Sequence, residues 1–155
     1  MNLLTSTLIA AHLLAAVVWV GGMFFAYMAL RPAAATLLDP PQRLPLWVGT
    51  FRNFFPWVWL AVALLPVTGY AMIFRVFGGM AGAGLHIHLM QGIGWIMMLM
   101  FMHLYFAPFK RLQRAVTIGD WPDAGVRLAQ IRRIVGINLI LGLSVVLIAS
   151  AGRYL

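Results

Sequence analysis

The sequence contains no cysteine and only three acidic residues, Asp39, Asp120 and Asp123. Without thiols there is no disulfide framework, no iron–sulfur cluster and no thiolate nucleophile. None of the three carboxylates falls inside a long apolar run, which excludes a membrane proton relay built on Asp or Glu and carboxylate-based hydrolysis at membrane depth. Charge is scarce overall: 9% of residues are charged, against roughly 25% in a soluble domain. Any metal or cofactor must therefore be held by His, Met, Asn, Gln or backbone.

Apolar surface is abundant. The chain is 63% hydrophobic with a mean hydropathy of +0.94, too apolar for disorder, and its 155 residues suit one domain spanning residues 1–155. A helix needs about 20 mainly apolar residues to cross the hydrocarbon layer, and four runs qualify: 3–30, 54–77, 85–109 and 134–151. They are apolar all round, unlike the alternating segments of a β-barrel strand. The expected fold is an all-α, four-helix transmembrane bundle. The first run has no basic flank and is too long for the apolar core of a signal peptide, so it reads as a permanent span.

Three connections join these spans. Residues 31–53, with Pro32, Pro40, Pro41 and Pro45, read as a turn-rich surface link containing a short interfacial helix around Trp47. The glycine-rich stretch from Gly78 to Gly84 reads as a short flexible loop. Residues 110–133 carry Asp120 and Asp123 around a Trp121-Pro122 break. With four spans, both termini and the second loop share one side, which holds Arg75 and Arg153. The other side holds Arg31, Arg43, Arg52, Lys110, Arg111, Arg114, Arg127, Arg132 and Arg133, nine of the 11 basic residues. Basic residues favour the cytoplasmic side, which puts both termini outside the cytoplasm. This asymmetry accounts for the pI near 11.4 without nucleic acid.

Ionisable side chains at membrane depth are costly and usually face a bundle interior, so His12, His88 and His103 stand out. At about 100° per residue, His88, Gln91, Gly92, Trp95, Leu99, Met102 and His103 share one face of the third span. His86 points elsewhere, near the loop, and reads first as an interfacial imidazole. Gln91 suits an interhelical hydrogen bond. On the first span, His12 shares a face with Ala15, Ala16, Trp19 and Met23, beside Gly21-Gly22. These small residues leave room for a bound group or a neighbouring backbone, although His12 can equally be satisfied by a hydrogen bond between helices. His12 and His88 come out at comparable depth on the outer half. His103 lies about 22 Å deeper than His88 by the helical rise.

Two ligand chemistries fit. Neutral imidazole with methionine sulfur suits copper, Cu(I) in particular. The candidate metal set is His12, His88 and Met102, with His86 and Met80 as outer capture ligands. Met90 and Met97 point opposite to His88, and for most of the 10 methionines packing is the ordinary role. Alternatively, two imidazoles from His12, His88 or His103 clamp a haem b, with Arg75 pairing a propionate.

Several segments resemble the small CopD-like (copper resistance protein D) integral membrane proteins of bacteria: His12 through Trp19, Gly21-Gly22 and Phe24; Leu30-Arg31-Pro32; Phe51-Arg52 through Pro56-Trp57; Tyr105 through Pro108; and Arg132-Arg133 through Gly136 and Asn138, leading to Gly152-Arg153. The resemblance covers nearly the whole chain. It implies the bacterial inner membrane and a part in copper uptake or tolerance. His12 with Trp19 and Gly21, together with His103, is also similar to the small four-helix protoporphyrinogen oxidases, which bind haem. Two departures count against that oxidase activity: no Lys lies between Gly92 and Met98, and Leu139 follows Asn138 where those proteins have an acidic residue. Three readings follow: a copper-handling protein, a haem-binding redox protein, and a cofactor-free membrane subunit or assembly factor. The expected partners are membrane lipid, a metal ion or haem, and a second copy or a membrane redox partner.

Overall fold

The computed structural model describes residues 3–152, so Arg153, counted above, lies outside the described residues. Among the described residues there are four long helices and no strand. They are α1 (Leu3–Leu37), α2 (Pro40–Val76), α3 (Leu85–Ile118) and α4 (Trp121–Ala151), each long and apolar enough to cross a membrane. The expected four-helix class holds.

The connections differ from expectation. Residues 31–53 form no loop: α1 runs on to Leu37, only Leu38 and Asp39 are non-helical, and α2 begins at Pro40. The prolines explain this. Pro40 and Pro41 occupy the first turn of α2, where the missing N–H had no helical partner to lose. Pro32 follows a π-helical turn, Ala26–Leu30, and Pro108 sits inside another, Tyr105–Phe109. A proline ring collides with the carbonyl four residues back, and the wider π turn relieves that collision without ending the helix. The third link likewise shrinks to Gly119, in the left-handed region at φ 74°, and Asp120. The Asp120 carboxylate accepts from the Asp123 N–H at 3.0 Å and caps α4, so Trp121-Pro122 starts a helix instead of breaking one.

α1 packs along α2, and α3 along α4. Between α2 and α3 the backbones come close only near the C-terminal part of α3. Aromatic rings fill that half of the seam: Phe55 meets Phe101 at 5.4 Å and Phe109 at 4.8 Å, and Trp59 meets Phe101 at 5.2 Å and Tyr105 at 5.4 Å between centroids. The tightest core lies at the basic end, where Leu112, Ala124 and Ile131 are wholly buried. There the helices extend past their apolar runs, where the hydrophobic effect favours burial. Along the apolar runs the outer faces stay bare, as at Leu14, Val17, Ile140 and Leu147, because lipid tails solvate them as well as protein does.

Candidate functional site

In the half of the bundle away from the basic end, the seam between α2 and α3 is not filled. Gly69 on α2, Gly94 on α3, Gly142 on α4 and Ala16 on α1 border a cavity of about 390 Å³. The small residues at these positions leave room that the surrounding side chains do not fill.

His12 reaches this cavity from α1 and is half-buried. Its ring lies against the backbone of α2 at Gly69, where a Cβ would come within 3.3 Å of the imidazole Cε1. The Thr68 hydroxyl oxygen is 2.8 Å from His12 Nδ1 and 2.6 Å from the Leu64 carbonyl oxygen. A carbonyl only accepts, and the hydroxyl has one proton to give. That proton goes to Leu64, and Thr68 accepts from Nδ1–H of His12. With Nδ1 engaged in this way, the lone pair of the neutral imidazole falls on Nε2. An outer hydrogen bond that fixes the tautomer in this way is the usual support of a metal-binding histidine.

From α3, Met90, Met97 and Met98 line the same cavity, and Met72 joins them from α2. Met97 and Met98 are buried. Gly142 makes room for the first of these, since a Cβ there would sit 3.1 Å from the Met97 methyl and 2.9 Å from Val20 Cγ2. On the α2–α3 side, the Tyr70 hydroxyl accepts from the Gln91 amide and, at 3.3 Å, from the Trp95 indole N–H. This pair of bonds ties the two helices across the gap. Below the cavity, Asn138 is buried and donates to the Met97 carbonyl at 3.3 Å, while its Oδ1 has no partner in the structure.

Of the candidate ligands expected from the sequence (His12, His88, His103, His86, Met80, Met102 and Arg75), His12 alone lines this cavity. His88, in the first turn of α3, and His103 are exposed, and Arg75 is exposed near the end of α2. Met102 is half-buried and off the cavity. His86 lies half-buried against Gly152 in a separate depression of about 550 Å³ with Leu89 and Leu147. Met80 begins the one-turn 3₁₀ segment Met80–Gly82. The structure therefore does not bring His12 together with His88 or His103. Nor does the polar face of α3 turn inward: Gln91 and Trp95 reach the cavity rim from its edge, while His88, Gly92, Leu99 and His103 face out. A helix on the flank of a bundle buries one stripe, and the stripe Met90, Met97, Met98, Phe101, Leu104 packs better than one interrupted by imidazoles. One histidine lines the cavity among the described residues, so no two-imidazole clamp for haem is assembled there.

A family model described as copper resistance protein D (CopD) matches residues 48–151. The chain belongs to the CopD family. The match takes in α2, α3 and α4, and hence Thr68, Tyr70, Gln91, Met97 and Met98; α1 with His12 lies before it. No curated protein and no solved structure matches the chain. Membership makes this a multi-pass, copper-resistance-related membrane protein, and the donor atoms can be judged against copper. One histidine and four methionines are among the lining residues, with no carboxylate or Lys on the wall. Neutral, soft donors of this kind fit Cu(I), which tolerates an apolar surround, and fit hard cations poorly. Seen from the His88 face, Met90 and Met97 point away and packing is their ordinary role; the cavity lies on the face that they share. The signal that marks their partners is the triplet Thr68-Gly69-Tyr70, polar and small residues together inside an otherwise apolar span.

Proposed function

We propose that this CopD-family protein handles copper in the bacterial inner membrane by taking Cu(I), as cargo, into the cavity between its helix pairs. His12 Nε2 and thioether sulfurs among Met72, Met90, Met97 and Met98 would bind it. The reading rests on one observation: a histidine held by a hydrogen bond to Thr68 lines the same cavity as four methionines. Each methionine alone is ordinary packing, but an oriented imidazole beside several sulfurs is a soft donor set. The family's relation to copper resistance supports copper as the metal. Both termini would face away from the cytoplasm, which opens the His12 half of the bundle to the outer side.

The test is copper content. Purified protein is loaded with Cu(I) under reducing conditions and copper per chain is measured by elemental analysis. His12→Ala and the volume-conserving double change Met97→Leu with Met98→Leu are expected to lose most of the bound copper, while His88→Ala retains it. Full copper occupancy in both variants overturns the proposal. So does a Soret absorption band in the protein as purified, which would assign the cavity to haem.

A further inference from the structure

At the opposite end of the bundle three arginines from three different helical segments converge. Helix geometry brings them together. Tyr27 and Arg31 are one turn apart on α1, and the Arg31 guanidinium lies over the Tyr27 ring at 4.8 Å from its centroid. Gly136 and Arg132 are one turn apart on α4. A Cβ at Gly136 would come within 3.1 Å of the Tyr27 ring, so α1 and α4 touch at this pair and the next turn sets Arg31 facing Arg132. Arg43 joins them through the connection: only Leu38 and Asp39 separate α1 from α2, so the first turns of α2 run back beside the end of α1 that carries Arg31, and the charges of Arg31 and Arg43 both act on Arg132. All three are half-buried. The single ion pair among the described residues, Arg127 to Asp123 at 2.9 Å, lies elsewhere.

Three guanidinium groups held this close repel one another, and no carboxylate of the described residues neutralises them. Arginine forks match phosphate oxygens in a bidentate way that an isolated ammonium does not. The depth of the group suits a lipid: Arg31 directly follows the apolar run ending at Leu30, and Arg132 stands just before the run beginning at Ile134, so the basket is level with the headgroups. We infer that Arg31, Arg43 and Arg132 form a binding site for the phosphate of an anionic phospholipid. The site is separate from the copper cavity and does not depend on it. With the three cations offset, the lipid would pin α1, α2 and α4 together at their basic ends.

The experiment compares the full-length protein with the triple variant Arg31→Gln, Arg43→Gln, Arg132→Gln and with a control, Arg111→Gln with Arg114→Gln, which alters two exposed cations. Protein in neutral detergent is titrated with phosphatidylglycerol, and bound lipid is read by native mass spectrometry. At about 1 kcal/mol per basic side chain, the triple variant should bind on the order of a hundredfold more weakly, while the control binds like the parent. Equal binding by parent and triple variant overturns the proposal. If the triple variant does not elute as the parent does, the single change Arg43→Gln is used, with several-fold weaker binding expected and unchanged binding again overturning it. Inorganic phosphate is the second probe. If it displaces the lipid or raises the melting temperature as well as the lipid does, the site is one for soluble phosphate and the lipid assignment fails; a negligible effect supports it.

Discussion

Thr68 shows how much one side chain decides. Its hydroxyl lies between the Leu64 carbonyl and His12 Nδ1, 2.6 Å from the one and 2.8 Å from the other, and so bears on the orientation of the imidazole. Thr68→Val keeps the shape and removes the acceptor. Loss of such an outer hydrogen bond typically lowers metal affinity by about 10–100-fold, so a Cu(I) competition titration of this variant should show a drop of that size with the fold intact. An unchanged affinity would mean that His12 is oriented by something else. Asn138 is the converse case. Its amide nitrogen has a partner and its buried Oδ1 has none, and an unpaired buried polar group costs about 1–3 kcal/mol. Asn138→Leu is therefore expected to leave thermal stability in detergent unchanged or raised. Asn138→Asp, which buries a charge in the same place, should lower it sharply.

Among the elements, the prolines and the caps were the hardest features to read from sequence. Pro32, Pro40, Pro41 and Pro45 cluster between two apolar runs, and that spacing suggests a loop. Three-dimensional context makes Pro40 and Pro41 helix starters and lets a π turn absorb Pro32. The second two-residue break depends on Asp120, which caps α4. Asp120→Ala should cost about 0.5–2 kcal/mol, visible as a lowered melting temperature, and Asp120→Asn should recover most of it because the amide oxygen also accepts. No recovery with Asn would show that the charge matters more than the cap. Rotation of α3 was also hidden. Its polar stripe and its methionine stripe both repeat with helical period, and nothing in the sequence of α3 alone says which one meets α4.

For the whole molecule, the charge distribution and the core distribution point the same way. Nine basic residues and the wholly buried Leu112, Ala124 and Ile131 share one end of the bundle. Basic side chains are retained on the cytoplasmic side during insertion, so the tight core is expected there and the His12 cavity at the other end. A periplasm-dependent reporter fused after Leu155 should be active, and one fused after Leu38, between α1 and α2, should be silent. The reverse pattern would invert the topology and move the open half of the cavity to the cytoplasmic side.

The sequence by itself determined the class of the molecule: the number of spans, the absence of thiolate and carboxylate chemistry at membrane depth, the asymmetry of charge and the family. Each of these depends on composition and on runs longer than a bilayer is thick, which survive any rotation of a helix about its axis. His12 was legible for the same reason, being an ionisable group in an apolar run with small neighbours. Its partners were not. Whether His12 meets His88 or Thr68 and the methionines depends on which face each helix turns inward, and in a membrane that choice is made by close packing. The contact of His12 with Gly69, the fit of Met97 against Gly142 and the rings that hold α2 from α3 on one side and leave it open on the other are properties of pairs of helices. The sequence of either helix alone does not contain them.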